Sequence, residues 1–277
     1  MAHCLIFEDK STLVTRYTRA HLVRLRGELE KAQASPHTIK GWWSEWRRAI
    51  RRACQDLGVP DPGAGLEGPE PLSSAAPRRE QRTLGRAEVL ALIDHVEVAS
   101  ITSDYGICVA ILGLTGMRLG EALALEWSSV DFVAGIVEVR ASAHWTPGAG
   151  WSQTSPKSGR VRRVGLAPHL AELLRKAQGR QRRAGRLPVG RVCQSAQGGY
   201  LQTTRVRSRL AAASKALDLD VVVTPQVLRR TWNTLALAVM DRVVVQAQIG
   251  HADDAMTAHY LGVRDETLRE VSGRMWE

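Results

Sequence analysis

The sequence predicts a mainly α protein with a small antiparallel β-sheet, divided into a helical N-terminal domain and a larger α+β domain. Three observations carry this. Apolar residues recur at helical spacing along most of the chain. Only the stretch around residues 136–166 alternates like strands, with "GIVEVRASA" and "RVRRVGL" separated by Pro-Gly and Lys-Ser-Gly turns. Between the two parts, "VPDPGAGLEGPEPLSSAAPRREQRT" is dense in Pro, Gly and Ser without periodicity, the composition of a linker. The expected division is a helical domain over 1–70, a linker over 71–83 and a second domain over 84–277. A chain of 277 residues is long enough to bury the cores this requires.

Residues 9–58 read as helical. In "SPHTIKGWWSEWRRAIRRACQDLG", Ser35 suits an N-cap, Pro36 the first helical position, and Gly58 with Pro60 the stop. Ile39, Trp42, Trp46, Ile50 and Ala53 form the expected core face, with Lys40, Arg47 and Arg51 along a cationic side. The second domain opens with the helix marked by Val89, Leu90, Leu92, Ile93 and Val96. An apolar helix follows over about 100–113, then the "TGM" break and a short helix "RLGEALAL". After the sheet, helices are expected near 168–178, 204–216, 225–239, 242–249 and 254–261. "RDETLREVSGRMW" makes a last amphipathic one.

Composition excludes several classes. The longest apolar runs fall far short of the roughly 20 residues of a membrane span. "MAHCLIFEDK" lacks the layout of a secretory signal. Cys4, Cys54, Cys108 and Cys193 are widely spaced with no C-x-x-C, so neither a zinc site nor a disulfide framework is suggested. The expectation is a cytoplasmic protein, nucleoid-associated if prokaryotic, with no cofactor, no metal and no membrane partner.

The charge points to a polyanion. The net charge is +10 and the pI near 10.0. "WRRAIRRA", "RVRR", "RKAQGRQRRAGR" and "RVRSR" distribute cations over several elements, as a protein neutralising phosphates along a duplex requires. The DNA-binding candidates are Lys40, Arg47, Arg48, Arg51, Arg160, Arg162, Arg205 and Arg207.

Four segments could carry chemistry, although each has an ordinary explanation. "TGMRLGEALALEW" places Arg118 at a helix start, where a pair with Glu121 would contribute only about 0.3 kcal/mol. "SPKSGR" sets Lys157 at the expected tip of a hairpin, a common place for a solubilising lysine. "TPQVLRRTWNTLA" has Thr224 as N-cap, Pro225 at the first helical position and Arg229 one turn in. "IGHADDAMTAHYLG" has His251 where one helix ends and Tyr260 nine residues on. Together they match one chemical task. Cutting a DNA strand without water or metal needs a nucleophile, cationic clamps on the phosphate and an acid for the leaving 5′-oxygen. Tyrosine, arginine and lysine can supply these in turn.

In that order, the four segments resemble the boxes of the tyrosine recombinase (phage integrase) family. The resemblance extends over about residues 83–277, and more loosely over "SPHTIKGWWSEWRRAIRRACQDLGVPDPG", which is similar to the end of the family's helical core-binding domain. It implies a core-binding domain followed by an α+β tyrosine-recombinase catalytic domain, acting as a site-specific recombinase that integrates or excises DNA. Arg118 and Arg229 would grip the scissile phosphate, and Lys157 would protonate the leaving oxygen. His251 would assist. Tyr260 would attack, leaving a 3′-phosphotyrosine. Glu121 would support the active-site helices rather than exchange protons. The implied partners are duplex recombination sites and further copies of the chain, in a tetramer that exchanges C-terminal tails. An accessory DNA-bending or directionality factor is compatible.

One position departs from the family pattern. Gln226 stands where the second box usually opens with a histidine, and Arg230 where a second histidine is common. An amide can donate to a phosphate oxygen but cannot exchange a proton near neutral pH. Two alternatives stay open: a catalytically weak DNA-binding accessory of the same fold, and a type IB topoisomerase. The segment "WTPGAGWSQ" resembles integrases of mobile elements more than compact chromosomal Xer-type recombinases. The short stretch before the core-binding module suggests simple core sites. Tyr17, Tyr105 and Tyr200 are expected to be structural.

Overall fold

The computed structural model describes residues 16–32, 34–70, 82–100, 103–156, 161–185, 190–249 and 265–276. The chain separates into two compact units, Met1–Gln81 and Arg82–Glu277.

In the first unit two helices pack together, α1 (Arg19–Lys31) and α2 (Pro36–Leu57). The local signals set the bounds of α2. The Ser35 hydroxyl accepts from the Thr38 N–H at 3.1 Å. At the other end Gly58, at φ 65°, takes the left-handed conformation that closes the helix. Leu22, Leu25 and Leu29 meet Ile39, Trp43, Ile50 and Cys54 in one small core.

That core corrects the expected facing of α2. Trp43 is buried, whereas Trp42, Trp46 and Ala53 are only half-buried. Arg47 lies on the buried face, not with the exposed cations. Its guanidinium donates to both Asp61 carboxylate oxygens at 3.0 and 2.8 Å, and it lies so close to Gly63 that a Cβ there would fall 2.1 Å from Nη1. This argues against Arg47 as a phosphate contact, because its side chain is buried against Asp61. Lys40, Arg48 and Arg51 are exposed.

The second unit is built round α4 (Tyr105–Thr115), in which every residue is buried. A helix apolar on all sides must be covered on all sides. α3 (Arg86–Val98), α6 (Pro168–Arg183), α7 (Thr203–Ala216) and α8 (Pro225–Leu237) each pack on it or on one another. α6 extends beyond the expected 168–178. Its Gln181 is fully buried, accepts from Trp127 Nε1 and donates to Asp104 and the Val192 carbonyl, so the basic stretch stays helical. α5 (Leu119–Ala124), α9 (Arg242–Ile249) and α10 (Asp265–Trp276) complete the described helices. None of them is long and apolar enough to cross a membrane. The helix expected at 254–261 lies outside the described residues.

The expected single sheet is two. β1 (Val130–Asp131), β2 (Ile136–Val139) and β5 (Arg162–Gly165) form an antiparallel sheet in the order β1-β2-β5. β3 (Ser142–Thr146) pairs only with β4 (Gly150–Thr154) among the described strands. Ile136 opposes Gly165 and Val139 opposes Arg162, whereas Ser142 opposes Thr154. The return arm of this nested hairpin therefore carries extra residues between β4 and β5. Lys157 falls there, outside the described residues, and the hairpin tip is the 147–149 turn instead.

α10 covers β5 of its own chain. Gly165 makes this possible, since a Cβ there would stand 2.1 Å from the Leu268 carbonyl oxygen. Arg163 pairs with Asp265 at 2.9 Å, and Met275 and Trp276 are buried.

Candidate active site

The site begins at a glycine turn. Gly116 ends α4 at φ 65°, a conformation that side chains resist, and a Cβ there would come within 2.8 Å of the Trp232 ring. The turn delivers Arg118 to the start of α5. The Arg118 backbone N–H donates to Glu121 Oε2 at 2.8 Å and its Nη1 to Oε1 at 3.1 Å, while the side chain stays 29% exposed.

Glu121 is buried and shared. Arg162, also buried, donates to both of its carboxylate oxygens at 3.0 and 2.6 Å. Burial pushes the Glu121 carboxyl up, but the hydrogen bonds and charge of Arg162, aided by Arg118, more than offset this and hold its pKa below the ordinary value. Glu121 is thus a permanent anion and an anchor. Arg162, expected on DNA, has its donors turned inward, and its Nε donates to the Gln248 carbonyl at 2.7 Å.

Arg229, on α8, is 5% exposed. Its Nη1 donates to the Gly116 carbonyl at 2.6 Å and its Nη2 to the Ile249 carbonyl at 2.7 Å. Among the described residues, two of the five N–H groups of this guanidinium are engaged. Burial first, and then the nearby Arg118 charge, lower its pKa to about 10, so it is still a cation at neutral pH. Arg162 and Arg229 together hold the end of α9 by the carbonyls of Gln248 and Ile249, immediately before the segment that contains His251.

Arg118 and Arg162 share the Glu121 carboxylate, and the Arg229 cation lies within electrostatic range of all three, which leaves a surplus of positive charge with Arg118 at its solvent edge. Gln226 is exposed in the first turn of α8, one turn before Arg229. Such a site can hold a phosphodiester between fork-shaped donors. Lys157, Arg160, His251 and Tyr260 lie outside the described residues. Arg205 and Arg207 are exposed on α7. Arg230 is half-buried, with Nη1 directed at the Arg82 carbonyl. Among the described residues no His, Cys, Asp and Glu are grouped to hold a metal ion. Of the tyrosines set aside, Tyr105 is buried under the Arg209 guanidinium and Tyr200 stacks on Trp151. Sequence reasoning missed the inward role of Arg162; the only signal for it was that it shares a strand face with the apolar Val164, two residues on in β5.

The family model of the phage integrase family matches residues 82–267. An integrase of Staphylococcus phage L54a is 26% identical over 177 residues, which are 60% of this chain and 50% of that protein. The chain thus spans half the length of that relative. Tyrosine recombinase XerC of Pseudomonas aeruginosa strain LESB58 is 26% identical over 96% of this chain and 80% of its own. Among solved structures, the Tn1549 transposon integrase in complex with transposon right end DNA superposes with a TM-score of 0.63 at 17% identity, covering 94% of this chain and 86% of that one. A lambda integrase dimer bound to a core site gives 0.55 at 18% identity, covering 88% and 80%. These likenesses place the fold among tyrosine recombinases.

Proposed function

Because the chain belongs to the phage integrase family, we propose that it is a site-specific DNA recombinase that cuts and rejoins duplexes through a 3′-phosphotyrosine, integrating or excising DNA. The observation that carries this reading is the excess of positive charge round Glu121, which Arg118 and Arg162 share while Arg229 lies close enough for the Arg118 charge to lower its pKa. Two guanidiniums this close repel each other, and an arrangement that accepts the cost is suited to a bound phosphate.

In the reaction, Tyr260 Oη attacks the scissile phosphorus and a P–O bond to tyrosine forms. The phenolic proton passes to His251 or to water. The P–O5′ bond breaks, and the leaving oxygen takes a proton from Lys157 Nζ. Arg118 and Arg229 neutralise the non-bridging oxygens, where charge builds up in the transition state. Gln226, exposed beside Arg229, donates its amide N–H to one of them. The 5′-hydroxyl of a partner strand then attacks the phosphotyrosine, so the bond energy is conserved and no nucleotide cofactor is consumed. Four copies on two sites supply the partner strands. α10 would have to leave its own β5 for tails to be exchanged. Lys40, Arg48, Arg51, Arg160, Arg205 and Arg207 contribute phosphate contacts, the first three from the N-terminal unit.

The test is a nicked duplex bearing the sequence that the protein selects from a random library. A covalent adduct resistant to denaturation is expected, and Tyr260→Phe should abolish it while leaving binding intact, since only the nucleophilic oxygen is lost. Absence of adduct on DNA that the protein binds would overturn the catalytic reading. Adduct without strand exchange between two sites would point instead to topoisomerase-type relaxation.

A further inference from the structure

Tyr200 lies far from the four boxes, yet it joins two of the elements that carry them. Its ring stacks on Trp151 of β4, with centroids 4.5 Å apart and planes inclined by 22°. Its hydroxyl accepts from Gln153 Nε2 at 2.8 Å. The Arg191 guanidinium lies over the ring, 4.2 Å from its centroid, and is itself fixed by donation to the Gly198 carbonyl.

The residues round Arg191 are tied in turn to the chain that leaves α5. Val192 N–H donates to the Leu125 carbonyl and Trp127 N–H to the Gly190 carbonyl, both at 2.8 Å, and Arg191 bridges Glu126. A continuous set of contacts therefore runs from the Arg118 helix through Arg191 and Tyr200 to β4. Gly120 adds a direct contact, since a Cβ on it would come within 2.7 Å of the Ala143 carbonyl oxygen in β3. Beyond the stack, Ser152, Thr154 and Ser155 are exposed, and the chain then enters Pro156, which is buried immediately before Lys157.

We propose that Tyr200, in contact with both Trp151 and Arg191, is a positioning residue that fixes β4, the strand that leads into the lysine read as general acid, against the Arg118 helix. This rests on the reading of Lys157 as the proton donor to O5′. A hairpin held at its base alone would swing, and proton transfer is sensitive to displacements of about 1 Å. An aromatic stack limits sliding with few rotatable bonds, and the cation over the ring adds attraction without a buried counter-ion.

The experiment uses the full chain and two versions of its selected nicked duplex. One has the ordinary scissile phosphodiester and the other a 5′-bridging phosphorothiolate. In the second, the P–S bond breaks to release a thiolate, a far weaker base than an alkoxide, so no acid is needed. Trp151→Ala and Tyr200→Ala are expected to slow cleavage of the ordinary linkage by about tenfold to a hundredfold. On the phosphorothiolate they should cleave as fast as the parent. Trp151→Phe, which keeps a ring on Tyr200, should recover most of the rate. An equal defect on both linkages would overturn the proposal, because the stack would then serve the fold or DNA binding. No defect on the ordinary linkage would also overturn it. Lys157→Ala separates the underlying reading: if the phosphorothiolate does not rescue that variant, Lys157 is not the acid and both ideas fall. If it does rescue it, only the stack is in question.

Discussion

Each unit of the molecule buries an arginine that grips a carboxylate with two hydrogen bonds. In the N-terminal unit Arg47 holds Asp61, and in the C-terminal unit Arg162 holds Glu121. The pairs are alike in chemistry and differ in neighbours. Asp61 is reached by the exposed Arg51 at 3.9 Å and keeps 19% of its side chain in solvent. It ties the chain after α2 back onto a core of only a few side chains. Glu121 is fully buried, and its second partner is Arg118, at the edge of the proposed phosphate site. The same pair is a staple in one unit and part of the charge balance of a reactive site in the other. What distinguishes them is the burial of the carboxylate and where its second arginine stands, in solvent for Arg51 and at the edge of the proposed phosphate site for Arg118.

The comparison breaks most visibly if the same substitution is made in both units. Arg162→Met leaves Glu121 buried with Arg118 alone, and removing one partner of a buried pair costs about 3–5 kcal/mol. It should also pull Arg118 inward and release the Gln248 carbonyl, so cleavage at saturating DNA should fall along with stability. The sign of the pH effect follows from Glu121. Its folded pKa lies below the ordinary 4.5, so in the parent it contributes stability that is present above that value and lost as pH falls through the folded pKa. In the variant, protonation instead relieves an under-compensated buried charge. The deficit measured by urea unfolding should be largest at neutral pH and shrink as pH falls from the variant's raised Glu121 pKa towards the parent's lowered one; a deficit independent of pH would show that Arg162 acts by packing alone.

Arg47→Met should cost less, about 1.5–3 kcal/mol, because the partly exposed Asp61 can rehydrate and still has Arg51 nearby. Cleavage at saturating DNA should be unchanged. So should the slope of log affinity against log salt, since the Arg47 side chain is buried against Asp61. Arg51→Ala, on the exposed side, should lower that slope by about 1. If Arg47→Met lowers it as much, the guanidinium does reach DNA, and the two pairs are less different than their geometry implies.

The contrast also marks where the sequence was readable. The caps of α2 were, because Ser35, Pro36 and Gly58 act on their own backbone. So were the positions of Arg118 at the start of α5 and of Arg229 one turn into α8, because both signals are local in sequence. Arg47 and Arg162 were not. Both sit in basic runs, and a run shows charge but not facing. Their partners lie 14 and 41 residues away, and only packing brings them close. The same holds for Gln153 and Tyr200, 47 residues apart. The split of one expected sheet into two had a similar cause, since alternation specifies strands but the extra residues before β5 decide which of them pair.

The smallest expected effect concerns Gln226, which stands where the family's second box usually opens with a histidine. It is exposed at the start of α8, one turn before Arg229, so a substituted side chain has room and would not disturb the core. A histidine there would have an ordinary pKa near 6.5, lowered somewhat by the helix N-terminus and the neighbouring guanidinium. At neutral pH it would be an uncharged imidazole able to take the tyrosine proton. Gln226→His should therefore speed adduct formation, by about tenfold or less, because His251 or water already serves as acceptor. The gain should vanish as pH falls below about 6, where the imidazole becomes a cation. If cleavage slows at every pH instead, the amide is the fitted group, donating to a phosphate oxygen from a position where a ring fails to reach. The site would then be one in which Arg118, Arg229 and an amide hold the phosphate, and proton transfer falls to residues after α9.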